Sequence, residues 1–192
     1  MIAGGEYLSY RMCMPYINVI CISVLLSIRI SLLLYDITIS HLFFHHSTYI
    51  ICIQIGTGIT PMIQALHAIL GDGPKEQQSA TEEVTLLYGS RNSDDILGGE
   101  MLQHWASMHS NKFNYIDVLS NEPTESEYNG ERGFIDKEKI LKYLPPPSDD
   151  DVVIFVCGPP IMYKLLCGPR DETEITGILG ELGYTSNQVY KF

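Results

Sequence analysis

Two turns, each lying between an apolar run and a helical pattern, constrain the fold of this chain more than any other feature. One is Gly56-Thr57-Gly58-Ile59-Thr60-Pro61-Met62; the other is Cys157-Gly158-Pro159-Pro160-Ile161-Met162, which follows the apolar run 152–156. Both have the pattern of a strand that exits through a turn into a helix. In open α/β sheets the carboxyl ends of the strands form the edge where nucleotides bind. The two turns therefore predict a nucleotide site on an α/β sheet.

Strand and helix patterns alternate along residues 56–192, separated by glycine- and proline-containing turns. Strands are predicted at 84–88, 113–119, 151–156 and 188–192. Helices are predicted at 61–70, from 93 onward, at 136–144, 160–166 and 175–182, with Thr60 and Asp136 as N-caps. This alternation predicts an α/β, Rossmann-like parallel sheet with helices on both faces.

Charge and cysteine content exclude several functional classes. The formal net charge of −11 argues against nucleic acid and anionic membrane surfaces as partners, since both select Lys and Arg. The five cysteines include no C-x-x-C pair, which favours a reducing compartment. Three histidines near residue 45 lack a partnering cysteine or carboxylate pattern, so no metal site is predicted.

The glycine turn has the chemistry that a dinucleotide requires. Glycines let the backbone approach a pyrophosphate, and the helix behind the turn presents free N–H groups to it. A plain strand-to-helix turn is the alternative for this segment taken alone. A buried structural cysteine at a strand end is the corresponding alternative for Cys157. The presence of both turns in one chain favours the nucleotide interpretation.

Together the two turns resemble the pyridine-nucleotide lobe of the ferredoxin-reductase-like flavoenzymes, and among these the NADH–cytochrome b5 reductases. The resemblance covers residues 1–5 and 56–192 through the C-terminal Gln188-Val189-Tyr190-Lys191-Phe192, and is closest to mitochondrial-type members. It implies that Cys157 lies beside the nicotinamide and flavin, as a small polarizable group at the reaction centre rather than a redox thiol. It also implies a set of cofactor-binding residues: Gly56, Thr57, Gly58, Ile59, Thr60, Pro61, Tyr88, Ser90, Arg91, Gly158, Pro159, Pro160 and Met162.

Within that set, the turn around Tyr88, Ser90 and Arg91 is expected to contact the adenosine half of the cofactor, with Arg91 stacking on adenine or meeting a phosphate. A turn with an exposed arginine is the alternative. Ser120 falls near the place where relatives often carry an acid that disfavours the extra phosphate of NADPH, so the preference between NADH and NADPH is left open here.

Residues 6–55 differ from the rest of the chain: they contain no Gly, Ala or Lys. Residues 1–5 joined directly to 57–62 read MIAGGTGITPM, which looks like one uninterrupted reductase motif. We hypothesise that 1–5 is a fragment of the first strand and 6–55 is an aberrant apolar insertion, the translation of a retained intron. The NAD(P)H-binding domain would then comprise 56–192. A membrane anchor is a poorer interpretation because Arg29 interrupts the apolar run, at a cost of about 2.5–3.5 kcal/mol. Some other insertion is the third alternative.

The resemblance implies an oxidoreductase that uses NADH and FAD and passes electrons to cytochrome b5 or a similar heme protein. The family's flavin-binding barrel and its Arg-x-Tyr-Ser/Thr motif are missing from these residues, so the chain alone is expected to be nearly inactive. Two alternatives stay open: the reductase domain of a nitrate reductase or another related flavoenzyme, and a membrane-tethered, non-catalytic nucleotide-binding module. The resemblance also implies a mitochondrial outer-membrane or endoplasmic-reticulum location facing the cytosol, and admits membrane association of the full-length protein.

Overall fold

The computed structural model describes residues 49–70 and 83–192. Their strands form one sheet in the order β4-β3-β2-β1-β5-β6, and every pairing is parallel. The strands are β1 (Tyr49–Ile55), β2 (Glu83–Ser90), β3 (Phe113–Leu119), β4 (Glu131–Arg132), β5 (Val152–Cys157) and β6 (Val189–Lys191). The helices are α1 (Ile59–Leu70), α2 (Gly99–Met108), α3 (Lys137–Tyr143), α4 (Pro160–Leu166) and α5 (Gly177–Leu182), with 3-10 turns at Gly56–Gly58 and Ser93–Asp95. The predicted α/β, Rossmann-like class is confirmed.

Strand β1 lies at the centre of the sheet, between β2 and β5, and is buried on both faces. Ile51 and Ile53 pack in a cluster with side chains of α3, α4 and α5. Ile50 and Cys52 point to the opposite face, since side chains alternate along a strand, and they are equally buried. Burial on both faces explains why β1 and β5 are nearly continuous apolar runs.

The position of β1 corrects the predicted domain boundary at residue 56. The last seven residues of the segment assigned to an insertion form the central strand of the sheet. Their β-branched, apolar sequence YIICIQI suits a strand with two buried faces. Residues 1–5, predicted as part of the first strand, lie outside the described residues, and the retained-intron hypothesis stays a prediction.

Several predicted element ends shift, each for a local reason. Helix α1 starts at Ile59, directly after the 3-10 turn, so Thr60 lies inside it and donates its hydroxyl to the Thr57 carbonyl at 3.3 Å. The helix predicted from residue 93 is only a 3-10 turn there, and α2 begins after Gly98, whose φ of 70° interrupts the helical path. Asp136 caps α3 as predicted, accepting from the Lys139 N–H at 3.0 Å.

Candidate functional site

The two turns identified in the sequence meet at the carboxyl edge of the sheet. Strands β1 and β5 are neighbours, with Gln54 opposite Cys157 in the register, so their exits are adjacent. The contact is backbone to backbone: a Cβ added to Gly58 would lie 2.5 Å from the Cys157 carbonyl oxygen. Only glycine permits this approach. The predicted juxtaposition of the two turns is confirmed.

Gly56 has a different role at the same edge. Its φ of 57° lies in the left-handed region, where glycine is favoured, and a Cβ placed on it would have no neighbour within 4 Å. Open space beside a glycine at a strand exit, with α1 starting three residues later, is the arrangement that accommodates a pyrophosphate. Thr57 and Thr60 are exposed beside it.

On the Cys157 side, Gly158 lies between the turn and α4. A Cβ on Gly158 would lie 2.6 Å from the Met162 sulfur, so a larger residue here would require the Met162 side chain to move. Pro159 is the N-cap residue of α4 and Pro160 its first residue, and both are exposed at the edge. Met162 is buried in the core, so its side chain supports the turn from beneath and does not present a contact surface.

The Cys157 thiol is half-buried and is held in its neutral form. Burial raises its pKa above the ordinary value, although a hydrogen bond with Tyr163 and the charge of Arg170 act in the opposite direction. A neutral thiol is a poor nucleophile. The environment therefore suits a space-filling, polarizable role for this sulfur and opposes a redox role.

Tyr88, predicted as a cofactor contact, is buried in the interior. Its hydroxyl donates to the Gly56 carbonyl at 3.4 Å and accepts from the Leu97 N–H at 3.0 Å. The structure therefore connects Tyr88 to the glycine turn and to the loop before α2. Its contribution would be to position Gly56. Ile59 is likewise buried.

At the exit of β2, Ser90 is buried, and its hydroxyl has no hydrogen-bond partner among residues 49–70 and 83–192. Its carbonyl accepts from the Ser120 N–H at 3.0 Å, which ties the exits of β2 and β3 together. Arg91 is exposed beside it. A buried, unpaired hydroxyl next to an exposed arginine fits a ligand with polar groups.

Two residues at this edge were not identified by sequence reasoning. Gln54 is fully buried at the end of β1, and both polar atoms of its amide lack a partner in the part of the chain described. Glu122 reaches from the loop after β3 to Ser93, 29 residues away. No sequence motif identifies either residue. The burial of Gln54 and the contact of Glu122 with Ser93 both depend on which strands are neighbours in the sheet.

A comparison with families shows that residues 52–168 match the oxidoreductase NAD-binding domain. Among curated proteins, the chain is 43% identical over 148 residues to NADH-cytochrome b5 reductase 2 of Aspergillus clavatus, covering 75% of this chain and 44% of that protein. It is 41% identical over 141 residues to the protein of the same name from Neurospora crassa, covering 71% of this chain and 39% of that one. The chain thus spans less than half the length of these relatives.

Solved structures show the same fold. The CS-b5R domains of human Ncb5or in the NAD+ form match with a TM-score of 0.63 and 26% identity, over 78% of this chain and 38% of that one. The cytochrome b5 reductase domain of Ulva prolifera nitrate reductase matches with a TM-score of 0.61 and 26% identity, over 76% of this chain and 48% of that one. The matched residues include both turns at the sheet edge, and the chain belongs to the oxidoreductase NAD-binding domain family.

Proposed function

We propose that the full-length protein is an NADH-dependent flavin oxidoreductase of the cytochrome b5 reductase type, and that the described domain is its NADH-binding lobe. The observation that carries the proposal is the backbone contact between Gly58 and Cys157, which makes the two turns neighbours at one edge of the sheet. The relatives named NADH-cytochrome b5 reductase 2 support the choice of reaction.

The residues present suit a pyridine dinucleotide. Gly56 and Thr57 would let the backbone reach the pyrophosphate, with the N-terminal N–H groups of α1 behind them. Ser90 and Arg91 would hold the adenosine half at the exit of β2. The neutral Cys157 sulfur would fill space against the nicotinamide ring, between the glycine turn and the Gly-Pro-Pro turn.

When bound, the two cofactors would supply the redox chemistry of such an enzyme, which is hydride transfer followed by transfer of single electrons. What this chain contributes is orientation. Its turns would bind the dinucleotide so that the nicotinamide lies at the Cys157 side of the crevice. Cytochrome b5 is the proposed acceptor on the strength of the relatives' names. A mitochondrial outer-membrane or endoplasmic-reticulum location facing the cytosol, with membrane association of the full-length protein, remains part of the proposal.

A second candidate is the reductase domain of a nitrate reductase, which the similarity to the Ulva prolifera domain favours. It would use the same crevice and differ only in the electron acceptor. For the third alternative, a membrane-tethered module, the segment in question lies outside the described residues. Among the helices of residues 49–70 and 83–192, none combines the length and apolar character needed to cross a bilayer.

The test is binding of NADH to the full 192-residue chain, measured by calorimetry, with Gly56→Ala as the variant. Its methyl group would enter the open space at the turn, so NADH affinity should fall by about tenfold or more, equivalent to about 1.4 kcal/mol. Gly183→Ala is the matched control: Gly183 also has a positive φ, of 100°, but it lies at the C-cap of α5 beside Pro147. Both variants place alanine at a positive φ, which costs about 1–2 kcal/mol at Gly56 and more at Gly183, whose φ lies beyond the left-handed region that L-residues adopt.

Equal NADH affinity in the Gly56 variant and the control would contradict the proposed crevice. The chain alone should also remain colourless and fail to turn over NADH with ferricyanide. A purified yellow chain with stoichiometric FAD and NADH turnover would show that the flavin is bound by these residues and would overturn the assignment of a single lobe.

A further inference from the structure

The loops that leave β2 and β3 are joined by backbone hydrogen bonds. The Ser120 N–H donates to the Ser90 carbonyl at 3.0 Å, and the Asn121 N–H donates to the Arg91 carbonyl at 2.6 Å. These bonds continue the parallel pairing of the two strands beyond their ends. As a result, the next residue in the chain, Glu122, lies at the exit of β2.

The Glu122 carboxylate there occupies two hydrogen-bond donors of Ser93. The Ser93 N–H donates to Oε2 at 2.8 Å, and its hydroxyl donates to Oε1 at 3.2 Å. The backbone bond from Ser93 lowers the pKa of this carboxyl, and the charge of Arg132 acts in the same direction. The Glu122 carboxylate therefore already occupies the exit of β2 as an anion. It is bonded there by Ser93, which follows Arg91 by two residues.

The Arg132 guanidinium holds the loop that carries Glu122. It donates to the carbonyls of Glu122 and Pro123 at 2.9 and 3.0 Å, and to the Ser126 hydroxyl and the Tyr128 carbonyl at 3.1 and 3.2 Å. It also lies 5.5 Å from the centre of the Tyr128 ring. The three bonds from Arg132 to backbone carbonyls do not involve the Glu122 carboxylate, so they can still hold the loop when that side chain is changed. The Ser126 hydroxyl and the Arg132 charge do act on the carboxylate.

The exit of β2 is where the two pyridine dinucleotides are told apart in folds of this kind. A carboxylate hydrogen-bonds the ribose 2′-hydroxyl of NADH, whereas an arginine accommodates the 2′-phosphate of NADPH. This chain has both groups: Arg91 is exposed, and Glu122 blocks the neighbouring Ser93 donors. The buried Ser90 hydroxyl, unpaired among the described residues, lies at the same edge.

We propose that Glu122 is the specificity-determining residue of this site, which selects NADH over NADPH by holding the anion position that the 2′-phosphate would need. The proposal rests on the proposed function. Without the carboxylate, the Ser93 N–H and hydroxyl become available beside Arg91, and the exit of β2 becomes a phosphate site.

The experiment compares the dissociation constants of NADH and NADPH for the full chain and for Glu122→Gln and Glu122→Ala. Removing the Glu122 carboxylate would remove a negative charge from the place proposed for the 2′-phosphate, so NADPH affinity should rise by about tenfold in Glu122→Ala. Glu122→Gln, which keeps an acceptor for Ser93, should show a smaller rise. The affinity for NADH should stay equal or fall in both.

Glu125→Gln is the matched control, because it removes one exposed acid from the same loop. It should leave the NADPH-to-NADH ratio at its original value. The double variant Glu122→Ala, Arg91→Met should lose the affinity for NADPH that the single variant gains. Binding of 2′,5′-ADP and 5′-AMP should follow the same pattern, which places the effect on the adenosine half.

The possible failures are separable. If NADH binds the parent chain but the ratio is the same in Glu122→Ala and Glu125→Gln, the inference is wrong and the proposed function stands. If NADH does not bind the parent chain at all, the proposed function fails and the inference fails with it.

Discussion

Gln54 and Gln188 are two buried glutamines with opposite environments. The Gln188 side chain is fully bonded: its amide nitrogen donates to the carbonyls of Pro147 and Asp149, and its oxygen accepts from the Thr185 N–H and hydroxyl. Gln54 has no such partners among the described residues. A buried polar group without a partner costs about 1–3 kcal/mol, whereas a satisfied one contributes to stability.

We therefore predict opposite effects for the same change at the two positions. Gln54→Met keeps the side-chain volume and removes the unpaired amide, so the free energy of unfolding should rise by about 1–3 kcal/mol. Gln188→Met breaks satisfied bonds and leaves the carbonyls of Pro147 and Asp149 without their donor, so it should destabilise by a similar amount. Urea unfolding of both variants measures this. A stability loss in both would show that the Gln54 amide has a partner.

The same position bears on the retained-intron hypothesis. If residues 1–5 replaced 52–56 in a contiguous form, Ala3 would stand at the position of Gln54 and Gly4 at that of Ile55. The exchange would remove the unpaired amide from the carboxyl end of the central strand. The hypothesis remains a prediction, and a transcript that joins the codon of Gly5 to that of Thr57 is the observation it requires.

At the scale of elements, the short strand β6 anchors a loop through one ammonium group. Lys191 Nζ donates to the carbonyls of Pro169, Glu172 and Glu174 at 2.9, 2.8 and 3.0 Å. These bonds hold the segment between α4 and α5 against the edge of the sheet. Hydrogen bonds to a charged donor are worth about 1.5–3 kcal/mol each in favourable cases, so Lys191 adds to the backbone hydrogen bonds that hold this loop.

Lys191→Met should release that loop while leaving the sheet intact. We expect faster amide hydrogen exchange and faster proteolysis in residues 169–176, with protection of β1 and β5 unchanged. Lys164→Met is the matched control, because Lys164 is exposed on α4 and should leave the loop as protected as in the parent chain. Equal exchange in the two variants would contradict the anchoring role.

At the scale of the whole molecule, the described thiols are held neutral by burial in the sheet and its helices. Burial raises the pKa of Cys52 to about 12 and that of Cys167 to about 11, and it also raises the pKa of Cys157. In the unfolded chain these thiols titrate near their ordinary value, about 8.5. As the pH rises, the thiols of the unfolded chain therefore lose their protons at a lower pH than the same thiols in the folded chain.

The sign of the pH dependence follows from this difference. The stability contributed by neutral, buried thiols is fully present below about pH 8.5 and is lost as the pH rises toward 11–12. We predict that the unfolding midpoint in urea, under reducing conditions, falls steadily from pH 8 to pH 10.5. Cys52→Ala should make the decline shallower. A midpoint that is constant over this range would contradict the burial of the thiols.

Local sequence determined several features without tertiary information. The strand β3, the apolar run of β5, the Asp136 cap, the proline at the start of α4 and the parallel α/β class were predicted correctly, because periodicity, capping and turn chemistry act over a few residues. The glycine pattern of the two turns was likewise enough to predict that they would lie together, since parallel strands end at a common edge.

The tertiary structure alone decided which residues complete the sheet and its edge. Residues 49–55 form the central strand, paired with β2 on one side and β5 on the other, and their apolar, β-branched side chains are buried on both faces. The buried Tyr88 hydroxyl donates to the carbonyl of Gly56, which is 32 positions away in the sequence. The Glu122 carboxylate accepts from the N–H of Ser93, which is 29 positions away. Such contacts leave no local pattern in a sequence, because they depend on which strands become neighbours.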